Sequence, residues 1–302
     1  MRRIFDAYAY GEGPRAGCWW DETSDVPPGD NFEGAAEVDV AIIGGGFTGL
    51  CAALRLAEAG TSVAVFEAEK FGWGASGRNA GFCCLGGGIA SDDALDRRFG
   101  RAARVAFRQA EIAAVRHVED TITRLNLDVD RHSEGETQLA HRPRDMTALR
   151  RSVASVRENY GVEPVLIEKS ELAAHGMTGG PFFGAMTIPL GFGLNPRKYL
   201  AGLVVAAHAA GVLLYDRAPV TQIKRAGTGH RLVCGGGSVR AAHVLIATNG
   251  YSSEDVPESL AGRYMPGQST VLVTRPIRQD ELEAQGWTTA QMSYDTRNLL
   301  HY

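Results

Sequence analysis

No apolar run in the 302-residue chain approaches the roughly 18 residues that a membrane-spanning helix needs, so no membrane partner is expected. Positive charge is also in short supply. Lys and Arg number 31 against 35 Asp and Glu, a net charge of -4, and no basic block stands out. Little is available to neutralise a phosphate backbone, which argues against nucleic acid as a partner. Cysteine is sparse: Cys18, Cys51, Cys83, Cys84 and Cys234 are too few and too scattered for a disulfide framework, and none forms CxxC. A reducing, cytoplasmic setting fits that usage. The eight histidines form neither HExxH nor a Cys/His cluster, so no metal is expected, and His208 reads as a structural or surface residue. The opening MRRIFDAYAYGEGPR has two arginines but no apolar stretch behind them, unlike a secretory leader.

What is present is enough apolar material, 44% of residues, for one large core or two ordinary ones. Residues 1–35 are rich in Gly, Pro, Asp and Glu and read as an irregular arm that packs through Trp19-Trp20. From Val38 the pattern changes. VDVAII reads as a buried strand, FTGLCAALRLAEAG as a helix closed by Gly60, and SVAVFE as a second strand, one βαβ unit. Apolar positions Val105, Ile112, Val115, Val118, Ile122 and Leu125 predict a single long amphipathic helix over 93–126. Strands are expected at 137–141, 165–168 and 184–189, with RPRDMTALRRSVASVRENY as a solvated helix between the first two. Asn195-Pro196 supplies an N-cap and a first-turn proline for a helix that Gly211 stops. VLLYD, PVTQIKR, HRLVC and VRAAHVLIA then read as four strands, with a glycine turn at 235–237, followed by a further strand in STVLVTRP and a short helix near 279–284.

The stretch AIIGGGFTGL places Gly44, Gly46 and Gly49 in the GxGxxG pattern between a strand and a helix. In that pattern the first glycine allows the tight turn, the second lets a pyrophosphate approach the backbone, and the third lets helix and strand pack closely. Amides around Phe47 and Thr48 would aim unpaired donors and the positive end of the helix dipole at a diphosphate. Glu67 follows Gly44 by 23 positions, near the roughly 20 expected for an acid that takes ribose hydroxyls, and its charge would repel a 2'-phosphate. A purely structural glycine turn is the competing reading. Beyond it, FGWGASGRNAG groups Ser76, Arg78 and Asn79 among four glycines, either as a second pass over phosphate and flavin edges or as a flexible surface loop.

With DVAIIGGGFTGLCAALRLAEAG, the acid of VAVFEAEK, GASGRNAG, LNPRKYLAGLVVAAHAAGV and VLIATNGYSS all in place, the chain resembles the D-amino-acid oxidase (DAO) superfamily of FAD-dependent oxidoreductases, most closely its gamma-glutamylputrescine oxidase-like branch. The likeness runs from Asp39 to about Ser253, and MPGQSTVLVTRPI looks like the family's next segment. It implies an α/β architecture in which a Rossmann-like FAD-binding domain is interleaved with a mostly antiparallel α+β substrate domain. The expected division is an arm at 1–35, FAD-binding segments at 36–136 and 187–266, and partial substrate segments at 137–186 and 267–302. Relatives run on past this length, so a chain truncated at the C-terminus, near NLLHY, is expected.

By position the resemblance also implies that Val220 meets the adenine through its backbone and that Thr248, Asn249 and Gly250 bring a strand end to the cofactor. The implied reaction oxidises the C-N bond of a small-molecule amine or amino acid. Hydride passes to the flavin to give an imine, and oxygen or another electron acceptor restores the cofactor, with hydrogen peroxide as the product of oxygen. The cofactor carries the difficult step, so no catalytic side chain is required in principle. Two further readings remain: oxidation of a hydroxy compound, and a non-catalytic FAD-binding fragment. Arg78 could stabilise negative charge on the flavin, hold phosphate, or pair with an acid elsewhere. Cys83-Cys84 is read as buried, small and apolar rather than reactive, and Cys51 as a packing residue of its helix.

Overall fold

The computed structural model describes every residue except Gly87, Ile89 and 298–302, so the closing NLLHY lies outside the described residues. In chain order the elements begin with β1 (Glu33–Ile43), α1 (Phe47–Glu58), β2 (Val63–Phe66), β3 (Phe82–Cys83), α2 (Asp92–Phe99) and α3 (Arg101–Leu125). There follow β4 (Glu136–Leu139), α4 (Pro143–Tyr160), β5 (Val165–Glu168), β6 (Gly184–Ile188), β7 (Phe192–Gly193) and α5 (Pro196–Ala209). The last are β8 (Leu213–Tyr215), β9 (Val220–Ala226), β10 (Gly229–Cys234), β11 (Gly236–Ile246), α6 (Gln279–Gln285) and β12 (Ser293–Asp295).

Two compact units result, each assembled from separated segments. The first comprises Met1–Ala80, Leu127–Val129 and Asn195–Leu272. Its sheet has the order β8-β2-β1-β11-β10-β9. The first four strands run parallel and β10 and β9 return as antiparallel neighbours. Val40 to Ile43 are all buried, as expected of a strand covered on both faces. Ile42 and Val65 contribute to one face; Ala41, Ile43, Ala64 and Phe66 join Phe32, Leu232 and Val239 in the core on the other. Burying each large aliphatic here contributes about 1.5–3 kcal/mol. Register decides where a ligand can sit. Ile43 pairs with both Phe66 and Ile246, and Phe66 pairs with Tyr215, so four parallel strands end level and Gly44, Glu67 and Ala247 emerge at one carboxyl edge.

Helix α5 starts as its sequence demands. The buried Asn195 side chain accepts from the amides of Arg197 (3.1 Å) and Lys198 (3.2 Å), while its own amide donates to Thr23 Oγ1 at 2.9 Å. Asn195→Ala removes the cap and strands these donors, so it is expected to cost about 1–2 kcal/mol, read as a lowered urea midpoint.

The second unit comprises Gly81–Asn126, Asp130–Leu194 and Val273–Tyr302. Its four-stranded sheet has the order β12-β4-β6-β5, antiparallel except for the β12-β4 pair. Met146, Leu149 and Val156 of α4 pack with Met186 on one face, and Leu172 and Met177 with Leu139 and Ile167 on the other.

Several expectations are corrected. The helix predicted over 93–126 is two helices, α2 and α3, because Gly100 adopts φ +82° and ends the first. Helix α4 is amphipathic rather than solvated: its arginines face water while the methionine, leucine and valine positions above are buried. No strand forms in STVLVTRP; Val271, Leu272 and Val273 are exposed and no neighbouring strand pairs with them. The units also divide the chain elsewhere than at 136, 186 and 266. Gly81–Asn126 groups with the second unit because α2 packs on α3 and α3 on α4, and the arm groups with the first.

Candidate cofactor cleft

Gly44 leaves β1 with φ +107°, and its amide donates to the Phe66 carbonyl at 2.9 Å. A Cβ there would stand 2.5 Å from the Ala247 carbonyl oxygen, so the close parallel strands require glycine. Gly49 is more constrained still, since its Cβ would lie 2.0 Å from the Gly44 carbonyl oxygen. Gly46 caps α1 without a side-chain acceptor, and the first helical hydrogen bond runs from Leu50 N-H to its carbonyl at 3.0 Å. Phe47 N-H donates to Ser76 Oγ at 3.1 Å. Among the described residues, no protein group accepts from the amides of Gly46, Thr48 and Gly49. Three free donors therefore coincide with the positive end of the helix dipole, a natural anion site.

Glu67 stands beside this turn. Its carboxylate accepts from Gly45 N-H at 2.8 Å and from Glu69 N-H at 3.1 Å. Burial pushes its pKa above the ordinary Glu value, and these backbone donors pull it back. The Ala68 amide adds a third backbone donor, and since a carboxylate has about four acceptor sites, capacity for a hydroxyl remains.

The cleft above the strand edge encloses about 1000 Å³ including its open mouth. Of the residues singled out from sequence, Gly44, Gly46, Glu67, Ser76, Val220, Thr248 and Asn249 line it together. Phe47, Thr48 and Gly49 follow Gly46 in the first turn of α1 and are not lining residues; the Phe47 ring is 5.3 Å from that of Tyr199. Arg78, Asn79 and Gly250 are not lining residues. Arg78 donates to the Tyr251 hydroxyl at 2.6 Å and lies over the Trp73 ring at 4.9 Å, so its partner is an aromatic pair rather than an acid. The Asn79 side chain closes its own turn onto the carbonyls of Ala75 and Ser76, and its carbonyl accepts from Trp20 Nε1. Gly250 N-H donates to Asn249 Oδ1, and Thr248 Oγ1 and Ser252 Oγ share a hydrogen bond of 2.6 Å.

Sequence reasoning missed Trp73, Tyr251, Ser253 and Val256, which line the same cleft, although Trp73, Tyr251 and Ser253 fall inside quoted motifs. It also missed Arg3 and Tyr10 of the arm, for which no local signal exists. In the second unit Cys84 donates to Glu136, and burial raises both Cys84 and Cys83 above the ordinary thiol range, Cys83 to about 11. Neither is an activated nucleophile. Among the described residues no group of three His, Cys, Asp or Glu is placed to hold a metal, and no helix is long and apolar enough to cross a membrane.

Residues 39–302 match the DAO family model, FAD dependent oxidoreductase. The chain belongs to the DAO family of FAD-dependent oxidoreductases. It is 28% identical over 254 residues to the gamma-glutamylputrescine oxidoreductase of Escherichia coli K12, covering 84% of this chain and 58% of that protein. With the probable oxidoreductase OrdL of Rhizobium meliloti it shares 30% over 265 residues, 85% of this chain and 61% of the other. Among solved structures, glycine oxidase from Geobacillus kaustophilus superposes with a TM-score of 0.59 at 26% identity, covering 74% of this chain and 58% of that one. L-proline dehydrogenase from P. horikoshii shares the fold at a TM-score of 0.59 and 19% identity, over 87% of this chain and 65% of the other. The chain thus spans about three fifths of the length of these curated relatives. The family's cofactor is FAD, and the cleft suits it: side-chain-free turns where a diphosphate would lie, free amides at the start of α1, and a half-buried carboxylate beside them.

Proposed function

We propose that this cleft binds FAD and that the protein oxidises the C-N bond of an amine or amino acid, with oxygen as electron acceptor and hydrogen peroxide as a product. The observation that carries the reading is the trio of free amides at the start of α1, beside Glu67, in a chain of this family. In it, Gly44, Gly46 and Gly49 admit the diphosphate to the backbone, the amides around Phe47 and Thr48 with Ser76 Oγ bind it, and Glu67 takes a ribose hydroxyl. Val220 borders the adenine through its backbone, Thr248 and Asn249 form the floor at the strand end with Gly250 holding the Asn249 side chain behind them, and Asn79 keeps the Ser76 turn closed. Arg78 acts through Tyr251, which it orients toward the cleft. Bound FAD supplies the hydride acceptor; the protein binds, orients and excludes water. An amine substrate rests on the company the chain keeps, relatives named for gamma-glutamylputrescine and glycine.

The test is spectroscopic. Purified protein is expected to carry the visible bands of flavin and to bleach anaerobically with amines or amino acids, with peroxide released when air is admitted. A colourless protein that takes up no FAD overturns the cofactor assignment. Bleaching by hydroxy acids alone replaces C-N with C-O oxidation, and a coloured protein that no donor bleaches reduces the function to FAD binding.

A further inference from the structure

Residues 1–38 lie outside the family match, and their sequence points only to packing. In the structure the first ten fold back over the cleft of their own unit. Arg2 N-H donates to Asp255 Oδ1 at 2.7 Å, Glu254 N-H donates to the Arg2 carbonyl at 2.8 Å, and the Arg2 guanidinium stands 3.3 Å from Glu254. This two-way anchoring fixes the next residue. Arg3 is half-buried with its guanidinium 4.4 Å over the Tyr10 ring, which in turn meets Tyr251 edge-on at 6.5 Å. Arg3, Tyr10 and Tyr251 all line the cleft that Gly44, Gly46 and Glu67 line.

Charge decides what Arg3 is for. Among the described residues lining the cleft, Arg3 is the only basic side chain, and the acids there are Glu67 and Glu69. Arg78 does not line the cleft, and Arg217, also outside the lining, pairs with Asp216 at 3.0 Å. A diphosphate brings about two negative charges, and a helix N-terminus answers with an effective charge of about +0.5. The remainder calls for a cation. No carboxylate lies within ion-pair distance of Arg3 among the described residues, and its planar fork suits phosphate oxygens.

We propose that residues 1–10 are a strap across the cofactor cleft and that Arg3 is the side-chain cation for the FAD diphosphate. This rests on the reading of the cleft as an FAD site, and the experiment separates the two. Apoprotein is titrated with FAD, ADP and adenosine by calorimetry. Arg3→Gln is expected to weaken FAD and ADP binding roughly tenfold or more, to leave adenosine binding within twofold, and to flatten the salt dependence of FAD affinity. Arg3→Lys is expected to recover most of the loss, and bound FAD to slow tryptic cleavage after Arg2 and Arg3. If wild-type protein binds no FAD, the cleft reading fails. If it binds FAD and Arg3→Gln, folded by circular dichroism, binds equally well, the cleft stands and the role of Arg3 is overturned. Equal losses for adenosine and ADP overturn the diphosphate assignment, and unslowed cleavage overturns the strap.

Discussion

Gly49→Ala is expected to lose retained flavin and about 3 kcal/mol of stability together. One methyl group would stand 2.0 Å from the Gly44 carbonyl oxygen and 3.3 Å from Ile42 Cγ2. The oxygen belongs to the backbone of the same tight turn and cannot swing aside as a side-chain tip does. Relief comes only by prising α1 off β1, which costs what overpacked cores cost, ~1–3 kcal/mol or more, and moves the amides that make the anion site. Gly46→Leu separates these effects. A Cβ at Gly46 meets only Ser76, its Oγ at 2.8 Å and its Cβ at 3.7 Å, and Gly46 lines the cleft rather than the core. That variant is expected to melt within a few degrees of wild type yet elute without colour. Gly235→Ala is the control: at the β10-β11 turn the nearest atom is 3.6 Å from the added carbon, and its φ of +50° costs about 1 kcal/mol with no effect on the cleft. The flavin-to-protein absorbance ratio after desalting, read beside the melting temperature, decides it. Equal ratios for Gly46→Leu and Gly235→Ala contradict the assignment of the diphosphate to this turn.

The contrast between what could and could not be read from the sequence follows the range of the interactions. The β1-α1-β2 unit and α5 are set by neighbours a few residues apart, glycines at a strand end and Asn195-Pro196 at a helix start, and their boundaries emerge within a few residues of expectation. That VRAAHVLIA is a strand is legible from its apolar run, whereas its place beside β1 depends on a partner about 200 positions away and is supplied by the structure. The break at Gly100 falls ahead of the apolar positions that define the helix, which begin at Val105, and the buried face of α4 is masked by the arginines interleaved with it. STVLVTRP has strand propensity without a partner strand, and propensity alone makes no ladder. Arg3 and Tyr10 reach the cleft through a hydrogen bond from Arg2 to a residue 253 positions away, which no local pattern encodes. Arg78 is the intermediate case. Its motif drew attention to it, but three partners were open, and the structure supplies a fourth in Tyr251 backed by Trp73.

Glu136 escaped attention because the strand was read from residue 137, and it carries the other large expected effect. At the start of β4 it is only 5% exposed. Burial is the main force on its carboxyl; the Cys84 thiol and Tyr294 hydroxyl donate to it and partly offset that force, and Glu111 adds repulsion, leaving the pKa at about 7. The same seclusion holds Cys84 and Tyr294 above their own ordinary ranges. Since the unfolded carboxyl titrates near 4.5, the folded state keeps a proton between the two values that the unfolded chain gives up. Stability from this residue is therefore complete below about pH 4.5 and is lost as pH rises through 7, a total of about 3 kcal/mol. Glu136→Gln keeps the shape and the acceptor oxygen but has no proton to lose. It is expected to match wild type near pH 5 and to exceed it by about 2–3 kcal/mol at pH 8, as read from urea midpoints at unit pH intervals. Parallel curves for the two proteins across that range would mean that Glu136 is ionised in the folded state, with its charge met by a group other than Cys84 and Tyr294.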